Sequence, residues 1–257
     1  MYQSLLGHTA YAAVIVREGK CGTNRADMYP LFVVGSLALT AGLAWATYQS
    51  GRLLRSVPVR ENLLLAPVEN AVKGMLVLVC VGLALLSGAT AAQLGWAPAQ
   101  PWRDAGLGII AGLITQVAAN AVTLGAIKLW GKDIYSPVVM RNIMPRARIE
   151  WLLVPAALAL AVLLEELLFR SLLVGALGQS LPVWLLAVLF AAVFGLMHSP
   201  QGSLGIVMTA IMGFWLSALF ILSGSLLLPL TAHYVVNFLQ LLTAQDKREW
   251  LEEYENA

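Results

Sequence analysis

Charged side chains are scarce in this sequence. Lys, Arg, Asp and Glu together make up 12% of its 257 residues, whereas hydrophobic residues make up 59%. A soluble domain carries roughly 25% charged residues, and so this chain has too few to cover a water-facing surface. The same composition argues against a disordered chain and against a coiled coil. It is typical of a membrane protein with several spanning helices.

Cysteine is also rare, and charge of one sign does not accumulate. The two cysteines, Cys21 and Cys80, are too few for a disulfide scaffold. A net charge of +2 gives no indication of a nucleic-acid partner. A removable signal peptide is not expected, because no basic segment followed by an apolar stretch and a cleavage site opens the chain. The expected partners are membrane lipid and the molecule that the functional site binds.

Long uncharged runs define the spanning segments. A membrane helix needs about 20 mostly apolar residues to cross roughly 30 Å of hydrocarbon. Gly, Pro and Ser clusters divide the stretch from Ser171 to Gln245, which contains no charged residue. The sequence therefore predicts an all-α, polytopic bundle of about seven spans, with an eighth if Leu5 to Val16 inserts. The predicted spans are residues 31–51, 74–94, 105–127, 151–177, 182–198, 203–222 and 226–243.

Basic residues set the expected orientation. The loops after the first and third spans carry most of the Lys and Arg, so we place these loops and the C-terminal tail in the cytoplasm. The expected location is the cell membrane, with the topology of the N-terminal segment left open. We divide the chain into a candidate interfacial segment (1–29), a bundle (30–245) and a charged tail (246–257). Residues 151–243, the last four spans, form the expected catalytic core.

A few ionisable side chains interrupt the late spans. They are Glu165, Glu166 and Arg170 in the fourth span, His198 at the end of the fifth and His233 in the seventh. Such groups are costly inside a bilayer and are usually functional. Glu166 and Arg170 are four residues apart, which favours an ion pair, and Glu165 points about 100° away. Glu165 is therefore the carboxylate left free to act as a general base.

Two further pairs share a helix face. Asn237 follows His233 by four residues, and Phe194 precedes His198 by four. An imidazole and an amide on one face can donate hydrogen bonds to a developing oxyanion. Each residue also has a plainer interpretation, because a single His or Asn in a membrane helix often serves packing between helices. The Glu166–Arg170 pair can equally have a purely structural role, in which it holds neighbouring helices together.

Three short motifs here resemble those of the CPBP family of intramembrane proteases, which includes the CAAX prenyl endopeptidases and bacteriocin-processing or self-immunity proteins. Residues 165–170 read Glu-Glu-Leu-Leu-Phe-Arg and are similar to the family's EExxxR motif. Residues 194–198 resemble its FxxxH motif, and residues 233–237 resemble its HxxxN motif. The resemblance covers about residues 153–241. Ser171 stands where many members have Gly, and we expect no chemical consequence from this difference.

The resemblance implies hydrolysis of a peptide bond within or at the edge of the membrane. By this analogy Glu165 and His198 would bind and deprotonate the attacking water. His233 and Asn237 would stabilise the tetrahedral oxyanion. The expected substrate is a peptide or protein that is membrane-associated or lipidated.

The same resemblance assigns supporting residues and leaves the cofactor open. Glu166 and Arg170 would hold the site in shape, and Phe194 belongs to the FxxxH motif. No cofactor is certain. Zn²⁺ stays open, with Glu165 and the two membrane His residues as its ligands, so the chain is expected to be a glutamate-dependent or a metallo-endopeptidase.

Two other functions fit the composition. A non-proteolytic membrane scaffold or immunity factor can have the same fold, since fold does not fix function, and its activity would survive loss of Glu165. A proton-coupled transporter that uses Glu165 and the two His as a relay would need polar residues through to both faces. The first three spans contain few of these.

The depth of the candidate residues sets a geometric requirement. At about 1.5 Å per residue, Glu165 lies roughly 21 Å from the basic face and His233 lies at a similar level. His198 instead comes out near the basic face. We therefore expect the turn at residues 199–203 to be recessed and to border a water-filled cavity.

Overall fold

The computed structural model describes residues 24–56 and 61–247. All regular elements in these two ranges are helical, which confirms the all-α class. The candidate eighth span at Leu5 to Val16 and most of the charged tail lie outside the described residues. The helices are α1 (Asn24–Ser56), α2 (Pro67–Leu86), α3 (Pro101–Trp130), α4 (Val138–Ile143), α5 (Glu150–Glu166), α6 (Val183–Met197), α7 (Gly202–Ser223) and α8 (Leu227–Asp246).

Most of these helices match the dimensions of a bilayer. Six helical segments in the described ranges are long and apolar enough to cross a membrane: α1, α2, α3, α5 with its continuation, α7 and α8. The helix α6 is apolar but has only 15 residues, a length of about 22 Å. Together they agree with the predicted polytopic bundle of about seven spans.

The helix α2 begins and ends earlier than the predicted span at residues 74–94. Pro67 occupies its first turn, where a missing backbone N–H costs nothing. The helix ends at Leu86, and Gly88 then takes a φ of 70°, a left-handed conformation that stops helical continuation. The apolar residues that follow form turns between α2 and α3 instead of a further stretch of spanning helix.

The helix α5 continues without a break into a π-helix, Leu167–Ala176. All residues of this π-helix except Gly175 are buried. It lies at the centre of the largest hydrophobic cluster, which includes Phe32 of α1, Cys80 of α2 and Phe220 of α7. π-Helical turns are rare and occur frequently at functional sites. The sequence predicted a continuous helix here but not this change in its winding.

Glycines bring α3 and α8 into close contact. A Cβ on Gly108 would lie 2.7 Å from the backbone oxygen of Leu228, and one on Gly112 would lie 2.8 Å from that of Ala232. Gly112 follows Gly108 by four residues, and its partner Ala232 follows Leu228 by four residues. The helices α3 and α8 therefore run parallel. Small residues four apart allow such approach in membranes, where van der Waals packing drives the association of helices. This contact supports α8, the helix that carries His233 and Asn237.

Replacing Gly112 with Ala is expected to destabilise the bundle by about 1–3 kcal/mol, because the new methyl group would force the two backbones apart. Gly106→Ala on the same helix is the matched control, since a Cβ there meets no atom within 4 Å. Thermal unfolding in detergent measures the difference. Equal midpoints for the two variants would contradict the proposed role of the glycine contact.

Candidate active site

A buried ion pair ties the π-helix to its neighbours. Arg170 Nη1 donates to Glu166 Oε1 at 2.8 Å, which confirms the ion pair predicted from their spacing. Arg170 Nη2 donates to the backbone oxygen of Gly213 in α7 at 3.1 Å. The guanidinium carbon also lies 5.3 Å from the centroid of the Phe194 ring in α6. One side chain from the π-helix therefore contacts α5, α6 and α7.

His233 of α8 lies between the two consecutive carboxylates of α5. Its Nδ1 is 2.7 Å from Glu166 Oε1, and its Nε2 is 3.6 Å from Glu165 Oε2. A carboxylate paired with Arg170 is an acceptor only, and so Nδ1 carries the proton of this hydrogen bond. The bond fixes the orientation of the imidazole and turns Nε2 towards Glu165.

The two carboxylates differ sharply in exposure. The Glu166 side chain is fully buried, whereas 35% of the Glu165 side chain is exposed. Among the described residues, Arg170 forms its ion pair with Glu166. Glu165 instead lies close to His233. Adjacent helical positions project about 100° apart, as the sequence predicted, and this places one acid in the packed interior and the other at an accessible edge.

His198 follows the last residue of α6 and faces the site across an aromatic ring. Its Nδ1 is 2.7 Å from the backbone oxygen of Phe194 and therefore donates to it, which leaves Nε2 as an acceptor in the neutral tautomer. The centroid of the Phe194 ring lies 4.6 Å from that of His198 and 6.1 Å from that of His233. Phe194 thus packs against both imidazoles.

The turn after His198 is held by two other parts of the chain. A Cβ on Gly51 of α1 would lie 2.5 Å from Pro200 Cγ, so the α1 backbone passes very close to the proline ring. The Ser136 backbone N–H donates to the backbone oxygen of Gln201 at 2.9 Å. The helix α1 extends beyond Gly51 to Ser56. The turn therefore lies beside the body of α1, about one helical turn before its C-terminal end. That it borders a water-filled cavity stays a prediction.

Asn237 lies one helical turn after His233 on α8, as predicted, and is half-buried. Its side chain has no hydrogen-bond partner among residues 24–56 and 61–247. It shares the face of α8 that carries His233.

The zinc ligand set left open by the sequence is not assembled in this geometry. Within the described residues, no group of three or more His, Cys, Asp or Glu side chains is arranged to hold a metal ion. Glu165 and His233 approach each other at 3.6 Å, whereas the side-chain contacts of His198 are with Phe194. No step below passes through a zinc ion.

Three hydrogen bonds around the site were not predicted from the sequence. The Gly213 carbonyl accepts from Arg170, and no side-chain pattern marks a backbone acceptor. Ser171, adjacent to Arg170, is fully buried and hydrogen-bonded to Trp96 and to Leu94. Ser171 thus has a structural role, and the expectation that it has no chemical consequence stays a prediction. The signal available in the sequence was a hydroxyl next to a motif residue in an otherwise apolar segment.

A helical bundle with acid, imidazole and guanidinium groups on its interior helices belongs to the class of membrane proteins with an intramembrane polar site. Residues 147–239 match the model of a family described as type II CAAX prenyl endopeptidase Rce1-like. The matched range includes all three motifs and confirms the resemblance to the CPBP/CAAX protease family. It covers α5 to most of α8 and leaves α1 to α4 outside. No curated protein and no solved structure gives a significant match.

Proposed function

We propose that this protein is an intramembrane endopeptidase that hydrolyses a peptide bond of a membrane-associated or lipidated substrate. The observation that carries the proposal is the approach of Glu165 to His233 Nε2 at 3.6 Å, with Glu165 partly exposed. The family match supports protease chemistry in general. The family's description, which refers to prenyl endopeptidases, supports a lipidated substrate.

Glu165 acts in this proposal as the general base. Its carboxylate takes a proton from a water molecule while the water oxygen bonds to the carbonyl carbon of the substrate. His198 binds the same water through its free Nε2. When the C–N bond breaks, Glu165 returns the proton to the leaving amine. A positioned acid–base group of this kind contributes about 10²- to 10⁴-fold to the rate.

His233 and Asn237 stabilise the oxyanion of the tetrahedral intermediate. His233 donates Nδ1–H to Glu166, and when Nε2 also carries a proton this nitrogen donates to the substrate oxygen. Asn237 adds its Nδ2–H from the same face of α8. Loss of one such donor typically costs about 2.7–4 kcal/mol in the transition state. The Glu166–Arg170 pair keeps His233 oriented, so that this donor is in place before the substrate binds.

A cleavage assay tests the proposal. The purified protein is placed in liposomes with a library of membrane-anchored peptides, each with and without a prenyl group. We expect His198→Gln to reduce cleavage about a hundredfold, because the water then loses one of its two ligands. His8→Gln is the matched control, since the chain contains only three His and this one lies outside the family match.

Equal cleavage by wild type, His198→Gln and His8→Gln would reject the assigned role of His198. Absence of cleavage by the wild type across the library would reject the protease assignment. Preference for the prenylated member of each pair would support a lipidated substrate, and equal rates for both members would contradict it.

A further inference from the structure

A short loop from the first half of the chain lies against the π-helix. Trp96 Nε1 donates to Ser171 Oγ at 3.0 Å, and Ser171 Oγ donates to the backbone oxygen of Leu94 at 2.7 Å. The Ser171 side chain is fully buried. The hydroxyl therefore both accepts and donates a hydrogen bond, and it fastens residues 93–96, here called the bridging loop, to the π-helix.

The bridging loop also contacts the start of α8. The Leu226 backbone N–H donates to the backbone oxygen of Gly95 at 2.9 Å. Gly95 has a φ of 73°, and a Cβ there would lie 2.7 Å from the Leu226 nitrogen. On the other side, a Cβ on Gly175 would collide with the backbone oxygen of Gln93. Two glycines thus allow the loop to fit between the π-helix and α8.

The two elements joined by the loop carry the two halves of the candidate site. Arg170 immediately precedes Ser171, and Glu166 lies at the junction of α5 and the π-helix. His233 lies two helical turns beyond Leu226 on α8. The 2.7 Å contact between Glu166 and His233 depends on how far one element slides past the other. The bridging loop is one of the connections between the two elements.

We propose that Ser171 and Trp96 are positioning residues that set the register of the π-helix against α8, and thereby the orientation of His233. This proposal rests on the function proposed above. Removal of the Ser171 hydroxyl leaves the indole N–H of Trp96 and the backbone carbonyl of Leu94 without their partner, which favours movement of the loop. A displacement of about 1 Å at a catalytic group can reduce the rate about a hundredfold.

Steady-state kinetics of Ser171→Ala, Trp96→Phe and the double variant test the proposal. We expect each variant to lower kcat about ten- to a hundredfold with KM unchanged, because alignment is lost and binding is not. The double variant is expected to be no slower than Ser171→Ala, because both substitutions break one hydrogen-bond chain. Thr40→Val, which removes a buried hydroxyl that bonds only within α1, is the control and is expected to match wild type.

A kcat within twofold of wild type for folded Trp96→Phe and Ser171→Ala would overturn the proposal, and so would a raised KM with unchanged kcat. If Ser171→Ala does not fold, Trp96→Phe decides alone, since it removes the indole N–H and keeps an aromatic ring at this position.

A second measurement does not depend on cleavage. With three His in the chain, ¹⁵N-histidine labelling gives few NMR signals, and the Nδ1 resonance of His233 reports its bond to Glu166. A shift of this resonance in Trp96→Phe, absent in Thr40→Val, supports the proposal. An unchanged resonance overturns it. This holds even if the wild type cleaves no peptide, in which case the proposed function fails by itself.

Discussion

Replacing Glu165 with Gln is expected to reduce peptide cleavage by about 10²- to 10⁴-fold. Gln has nearly the same size and can still bind a water molecule, but it has no carboxylate to accept the proton. Glu165 is the more accessible of the two acids, with 35% of its side chain exposed, so the substitution leaves little buried charge unpaired. The loss should therefore appear in kcat while the folded fraction is unchanged.

Glu69→Gln is the matched control for this experiment. Glu69 lies in α2, is more than half exposed and pairs weakly with Lys73 at 3.9 Å. Its substitution is expected to change neither cleavage nor stability by a measurable amount. Cleavage by Glu165→Gln at more than a tenth of the wild-type rate would show that another group accepts the proton. If the protein is instead a scaffold or an immunity factor, its activity in cells is expected to survive both Glu165→Gln and Glu69→Gln.

Replacing Arg170 with Met is expected to destabilise the protein by about 3–5 kcal/mol. Met fills much of the same volume but leaves Glu166 as a fully buried carboxylate without its cation. The Gly213 carbonyl in α7 also loses its donor. Thermal unfolding in detergent should show a large fall in the midpoint, together with loss of cleavage because His233 is no longer held.

A second substitution separates charge from packing. In Glu166→Gln/Arg170→Met, neither side chain is charged, and a Gln oxygen can still accept from His233 Nδ1. We expect the double variant to be more stable than Arg170→Met alone, because no isolated charge remains buried. Arg103→Met at an exposed position of α3 is the control, with an effect within about 0.5 kcal/mol. A double variant less stable than the single one would contradict this account.

The sequence predicted the fold class well because composition and uncharged runs report directly on the bilayer. It placed α2 wrongly because the apolar residues 89–94 look like spanning helix. The left-handed Gly88 and the contact of Gly95 with Leu226 direct them into a loop instead. Such contacts join residues more than a hundred positions apart, and no local pattern encodes them.

The candidate site was predicted to the level of its ionisable residues. The four-residue spacing was enough to predict the Glu166–Arg170 pair. It was not enough to show that Glu166 also binds His233, because that contact depends on how α5 and α8 lie side by side. The packing of Phe194 against both imidazoles likewise required the arrangement of α6 and α8.

The small length of α6 affects the surrounding lipid. Val188, Leu189 and Leu196 present about half or more of their surface on the outside of this helix, the side that we expect to face acyl chains. A helix of about 22 Å beside a hydrocarbon layer of about 30 Å creates a hydrophobic mismatch, and lipids respond by thinning locally. We therefore expect headgroups and water to come closest to His198 on this flank. A substrate that arrives along the bilayer surface would then need less dehydration here than at any full-length helix.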